Sequence, residues 1–102
     1  MIKTAGANVA PAEVERAIAK VTGGTVAHVL GLPDTSRGQV VAAVVALEDG
    51  EGFDEEAVRD RLKAELSAYK IPKRFAAVPR SGIPMLSSGK VDLTALQKVF
   101  DA

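Results

Sequence analysis

The segment Pro84-Met85-Leu86-Ser87-Ser88-Gly89-Lys90 places residue types in an order that could do chemistry. A lysine directly after a flexible Ser-Ser-Gly loop and just ahead of a helix can project its ammonium into a neighbouring cleft. There, three donors on a compact charge suit phosphate and carboxylate oxygens. The same residues also describe an ordinary exposed lysine on a surface loop. A phosphate-cradling P-loop is excluded, because Gly89-Lys90 has Pro84 where the first glycine should stand and Val91 where a Ser or Thr should follow.

Two further segments are richer in special residues than packing requires. In Lys3-Thr4-Ala5-Gly6-Ala7-Asn8-Val9, a glycine between two alanines lets backbone approach a ligand or another domain closely; a plain hairpin turn reads the same way. In Tyr69-Lys70-Ile71-Pro72-Lys73-Arg74, an aromatic ring stands among three positive charges. It could stack a base and hold phosphate, or be a solvated helix end. His28 has no second His or Cys to work with and is assigned no role. Asp49, Glu51, Asp54, Glu55 and Glu56 read as a solvated turn and helix start, not as a metal loop with alternating ligands. No metal-ligating set is assigned.

The elements that must position these segments follow from periodicity and punctuation. Gly6 and Asn8 favour a tight hairpin or loop at the start. Pro11 opens a helix whose apolar positions Val14, Ala17, Ile18 and Val21 recur at three-and-four spacing until Gly23-Gly24. Thr25 to Leu32 and Val40 to Leu47 read as two strands buried on most sides. They are joined antiparallel by the polar turn Pro33 to Gly38. Asp54 caps a helix carrying Val58, Leu62 and Leu66 and ending near Ser67. Pro72 stops it, a short strand runs from Arg74 to Val78, and a Pro/Gly/Ser loop leads to a last helix from about Asp92 to Phe100. The expected fold class is α+β: a small β-sheet with an N-terminal hairpin or loop and about three packed helices.

Composition narrows the function classes. A chain of 102 residues is one domain, and 47% hydrophobic with 25% charged residues is the balance of a soluble globular protein. Thirteen basic and thirteen acidic side chains cancel, which gives no field for nucleic acid or an anionic membrane. The absence of cysteine excludes disulfides and thiolate metal sites and fits a reducing compartment. With no apolar run long enough for a signal peptide or a membrane helix, the expectation is a soluble, cytoplasmic domain.

Taken together and in order, these segments resemble the C-terminal domain of the adenylate-forming superfamily: acyl-CoA synthetases, adenylation domains of nonribosomal peptide synthetases, and luciferases. The resemblance runs through Ile2 to Val9, Pro11-Ala12-Glu13-Val14-Glu15, Gly31-Leu32-Pro33-Asp34, Gly38-Gln39-Val40-Val41-Ala42, Tyr69 to Lys73, and Pro84 to Asp92. It implies an acid–thiol ligase of fatty-acid metabolism that activates a fatty or aryl acid with ATP to an acyl-adenylate and then transfers it to CoA. Between the two steps, this small domain rotates against the N-terminal domain of the same enzyme. By resemblance, Lys90, with Gly89 before it, bridges carboxylate and nucleotide in the first step. Thr4, Ala5, Gly6 and Ala7 dock for the second, with Gly6 beside the pantetheine passage, and Tyr69 and Lys73 contact the nucleotide end of CoA. ATP and CoA are then substrates, with Mg2+ accompanying ATP in the full-length enzyme and nothing bound tightly by this domain alone.

The sequence departs from the family pattern at Ile71, which replaces a basic residue found in some members, and at Asp92-Leu93-Thr94, which lacks basic residues that many carry. The resemblance puts the hinge immediately before Met1 and leaves the ATP site and acyl pocket outside the chain, so that the chain alone is expected to be inactive. A carrier protein's pantetheine is the alternative acceptor. A free-standing interaction module with no catalytic duty is the alternative from another class. Lys90 also lies in a loop of the kind that lysine acetyltransferases modify in related ligases, and acetylation would remove its charge.

Overall fold

The computed structural model describes residues 1–101. The chain opens with strands β1 (Ile2–Thr4) and β2 (Ala7–Val9), an antiparallel hairpin turned by Ala5-Gly6. Pro11 then starts helix α1 (Pro11–Thr22), where its missing N–H costs nothing. Gly23 ends it in the left-handed region (φ 77°), its N–H returning to the Ala19 carbonyl.

Strands β3 (Val26–Asp34) and β4 (Gly38–Leu47) form one antiparallel ladder from Val26 opposite Ala46 to Asp34 opposite Gly38. The turn between them is tighter than the sequence suggests, since the ladder consumes Pro33, Asp34 and Gly38 and leaves Thr35-Ser36-Arg37. Asp34 is the reason. Its Oδ2 accepts from Ser36 N–H (3.1 Å), the Ser36 hydroxyl (2.9 Å) and Arg37 N–H (2.8 Å), and Gly38 closes the loop with φ 82°.

Helix α2 (Glu55–Leu62) starts where Asp54 Oδ1 accepts Ala57 N–H at 3.2 Å. Its apolar spacing predicts a longer helix, to Ser67, but regular helix stops at Leu62. The next turn tightens: Lys63, Ala64 and Glu65 each bond three residues back, while Leu66 N–H still reaches Leu62 and its side chain stays buried. After a short 3-10 turn over Ala68–Lys70, strand β5 (Arg74–Pro79) pairs with β4 in parallel, from Arg74 opposite Ala42 to Pro79 opposite Leu47. Parallel pairing follows because α2 carries the chain back to the same end of the sheet, which makes β4, α2 and β5 a crossover unit.

Helix α3 (Leu93–Gln97) starts at Asp92, whose Oδ1 accepts Ala95 N–H at 3.1 Å. The single last helix read from the sequence is a five-residue helix followed by a 3-10 turn over Lys98–Phe100. The sheet has five strands. β3 occupies one side of β4 along its length, and β1, at Gly38, shares the other side with β5.

Three layers result. Val14 and Ile18 of α1 and Val58 and Leu62 of α2 pack on Val29, Val41, Ala43 and Val45. On the opposite face Leu96 and Phe100 pack on Leu30, Leu32, Ala42 and Val44. The fold is therefore α+β, with three helices on a small sheet and an N-terminal hairpin, as expected from the sequence. Among the described residues no helix is long and apolar enough to cross a membrane. So short a helix as α3 is held by its anchors, of which Leu96 is fully buried. Leu96→Ala is expected to lower unfolding free energy by about 2–5 kcal/mol in chemical denaturation, through lost transfer energy and a cavity.

Candidate functional site

The Lys90 loop is a closed hairpin rather than a loose one. Leu86 N–H donates to the Lys90 carbonyl (2.7 Å), Gly89 N–H to the Leu86 carbonyl (3.0 Å), and Asp92 N–H to the Pro84 carbonyl (2.9 Å), with Met85 bridging to Val91. Ser87-Ser88-Gly89 is thus a three-residue loop, and Gly89 supplies the positive φ, 89°, that such a loop needs at its last position. The flexible loop read from the sequence is replaced by a backbone-bonded one. Ile83 and Val91 root it in the core under α3. Lys90 itself is exposed, and among the described residues no carboxylate pairs with it. Met85 and Leu86 within the hairpin and Leu93 just after it remain 48–55% exposed.

The second segment forms the β1–β2 turn. Both of its central residues have positive φ, 49° at Ala5 and 84° at Gly6, the requirement of the tight hairpin turn whose twist matches the strands. Glycine meets that requirement freely, whereas alanine carries a cost of about 1–2 kcal/mol. Ala5 and Gly6 are exposed and Ala7 partly so, but Thr4 is only 3% exposed and offers a docking partner little beyond backbone. A side chain at Gly6 would meet no atom of this domain within 4 Å, so the space beside it is open. Ala5 N–H donates to the Arg37 carbonyl at 2.9 Å, which ties this turn to the β3–β4 turn.

In the third segment the structure separates the three charges. Lys70 Nζ pairs with both oxygens of Glu13 (2.9 and 3.1 Å) and lies 5.7 Å over the Tyr69 ring. The Glu13 hydrogen bond, opposed by desolvation, raises the Lys70 ammonium above its ordinary pKa. Arg74 packs on Phe100, 5.1 Å from the ring centroid, and donates to the Phe100 carbonyl. This leaves Lys73 as the exposed cation of the set for which no ion pair forms among the described residues, with Tyr69 exposed nearby in sequence. Lys73 N–H is bonded to the Val41 carbonyl at 2.8 Å, and its side chain edges a groove of about 290 Å³ floored by Ala68, Ile71 and Pro72. Among the described residues no group of His, Asp or Glu could hold a metal ion.

The structure does not bring the three segments into one site. The Ala5-Gly6 turn stands at the Gly38 end of β4, whereas the chain reaches the Lys90 hairpin after β5 leaves the sheet at Leu47. No hydrogen bond joins residues 4–7 to residues 84–92. Two side chains given no role in the sequence reading hold the first turn. Asp34 fixes the loop that offers the Arg37 carbonyl, and Gln39 Oε1 accepts Lys3 N–H at 2.9 Å. Asp34-Thr35-Ser36 carried a readable turn signal; Gln39 carried none, because its partner lies 36 residues away.

Comparison with known proteins gives a consistent picture. Residues 13–90 match the model of the AMP-binding enzyme C-terminal domain. The chain is 34% identical over 102 residues to the long-chain-fatty-acid CoA ligase FadD13 of Mycobacterium tuberculosis, covering 100% of this chain and 20% of that protein. It is 36% identical over 91 residues to a feruloyl-CoA synthase of an Amycolatopsis species, covering 89% and 18%. Among solved structures it superposes, at a TM-score of 0.80 and 30% identity, on the o-succinylbenzoate CoA synthetase MenE of Bacillus subtilis in complex with the acyl-adenylate intermediate OSB-AMP. That match covers 94% of this chain and 19% of the other. The chain thus spans about a fifth of the length of the curated relatives it matches.

The geometry of the two turns generates two expectations. Ala5→Asn, which tolerates positive φ, is expected to raise stability by about 1 kcal/mol, read as a higher thermal midpoint. The Ser36 hydroxyl and the backbone N–H of Arg37 hold the Asp34 carboxyl below its ordinary value of 3.8. A depressed pKa stabilises the fold above the unfolded value and is lost as pH falls through the folded one. Asp34→Ala should therefore be less stable than the parent at pH 7, with the gap narrowing as pH falls below about 4. A gap that does not narrow between pH 7 and about pH 2 in denaturation curves would contradict this.

Proposed function

This chain belongs to the family of AMP-binding enzyme C-terminal domains, and from that premise we propose that it is the mobile domain of an acyl-CoA synthetase. In the first half-reaction a carboxylate oxygen attacks the α-phosphorus of ATP, pyrophosphate leaves, and an acyl-adenylate forms. In the second the thiol of CoA attacks the acyl carbon, loses its proton, and AMP leaves. Lys90 serves the first step. Its ammonium, set between carboxylate and nucleotide, offsets negative charge on the attacking and transferring oxygens. The remaining enzyme supplies the ATP and acyl sites, with Mg2+ on the nucleotide.

The observation that carries this reading is an exposed lysine with no ion-pair partner among the described residues, mounted on a hairpin closed by backbone bonds. A cation so placed is available to charges brought from outside the domain, and little conformational entropy remains to be lost when it docks. The exposed apolar side chains that neighbour it in sequence, Met85, Leu86 and Leu93, suit a contact that excludes water and so strengthens the charge interaction. The second step falls to Thr4, Ala5, Gly6 and Ala7, where small residues leave room for a pantetheine arm, and to Tyr69 and Lys73 at its nucleotide end. The separation of these patches favours alternate presentation by a turning domain. The relatives' names, CoA ligases for a fatty acid and for ferulate, support the acceptor and leave either acyl class open. The same unpaired Nζ is open to acetylation, which would abolish the charge that the first step uses.

In the full-length enzyme, Lys90→Ala is expected to slow acyl-adenylate formation by roughly 10²–10³-fold, with thioester formation from supplied adenylate changed far less. Acyl-adenylate formed by the variant at the parent's rate would refute the assignment. The isolated chain, given ATP, acid and CoA, should release no AMP.

A further inference from the structure

Gly31 is buried in the middle of β3, and a Cβ there would stand 2.6 Å from Nε2 and 2.9 Å from Cδ of Gln39, and 3.2 Å from Cγ2 of Ile2. Gly31 pairs with Val41, and Gln39 lies two residues back along β4. The two are diagonal neighbours on the face that α1 covers, where side chains normally compete for the same space. Here one side of that competition is missing. The volume that any side chain at 31 would take is filled by the Gln39 carboxamide.

That carboxamide ends in a bond with a purpose. Lys3 and Ala5 are the residues of the first hairpin whose N–H groups point toward β4. Ala5 N–H finds the Arg37 carbonyl, but the β1–β4 ladder consists of the single pair Thr4–Gly38. Lys3 N–H bonds instead to Gln39 Oε1 at 2.9 Å, so a side chain stands in for the missing rung. The Ala5-Gly6 turn is thus tied to β4 by the Thr4–Gly38 pair with a further bond on either side of it, and one of those bonds exists only because residue 31 has no side chain. A Cβ there would push the far end of Gln39, which can move cheaply, so the fold survives while the bond does not.

We propose that Gln39, in the space kept open by Gly31, is a positioning residue that sets the Ala5-Gly6 turn for the thioester-forming half-reaction. The proposal rests on the role given above to that turn. It also gives the motif glycine Gly31 a role, since its lack of a side chain serves a residue eight positions further on and not the tightness of its own strand.

The test has two arms. In this chain, amide exchange at Lys3 is expected to quicken by roughly tenfold or more in Gly31→Ala and Gln39→Met, while Gln39→Glu, which keeps an acceptor oxygen, retains protection. In the full-length enzyme, the first two variants are expected to slow thioester formation from acyl-adenylate by roughly tenfold, with acyl-adenylate formation kept within about twofold and Gln39→Glu close to the parent. The double variant Gly31→Ala/Gln39→Met should be no worse than either alone. Unchanged exchange at Lys3, an additive double variant, or an equal fall in both half-reactions would overturn the proposal. A parent enzyme that makes no acyl-adenylate would instead overturn the functional reading beneath it, and the exchange arm would still stand or fall by itself.

Discussion

Everything in this domain depends on the burial of β4 on both faces. Val41, Ala43 and Val45 lie under α1 and α2, while Ala42 and Val44 lie under α3, and all five are 1% exposed or less. Each valine removed from water in this way contributes about 1.5–3 kcal/mol, before the entropy of ordering it is subtracted. The strand also carries a partner on each side, β3 along one and β1 with β5 along the other. Such a strand can shift neither register nor tilt without disturbing two cores and three pairings, so what is fastened to it is held as one body.

Fastened to it are the segments to which the proposed function gives roles. The Ala5-Gly6 turn hangs from Gly38, Arg37 and Gln39 at its start, and Lys73 hangs from Val41. The Lys90 hairpin is rooted in the core beneath α3, against the opposite face. Local flexibility would be a poor way to move such parts, because the backbone of the Lys90 loop is closed by its own bonds. Motion of the whole body is the alternative that its construction favours. A rigid carrier delivers a charged group with little entropy left to lose and withdraws it completely, which suits the role proposed for Lys90 in the first step alone.

Much of this was legible in the residues. The continuous apolar run Val40 to Leu47 announces a strand buried on both faces, and Pro11 with Gly23 brackets α1 as their backbone preferences require. Asp54 and Asp92 mark helix starts that the structure repeats as side-chain caps. Features set by distant partners were not legible. The parallel pairing of β5 depends on where α2 returns the chain, and the early end of α2 on a tightening that Leu66 tolerates by remaining buried. Tyr69 to Arg74 read as a ring among three cations, yet Glu13 and Phe100, at 57 and 26 residues' remove, claim two of them. Gln39 gave no signal at all, since a glutamine that replaces a rung of a sheet needs no local pattern around it.

The central claim is that one rigid body presents two separate patches in turn. Spin labels at Asn8 and Ser88, both exposed, one beside the Ala5-Gly6 turn and one in the Lys90 hairpin, test it most directly in the full-length enzyme. The account predicts that the separation between these labels stays constant with ATP and acid bound and again with adenylate and CoA bound, while the separation from each to a third label elsewhere in the enzyme changes. A fixed distance to the third label, with the Asn8–Ser88 separation changing between the two states, would contradict it.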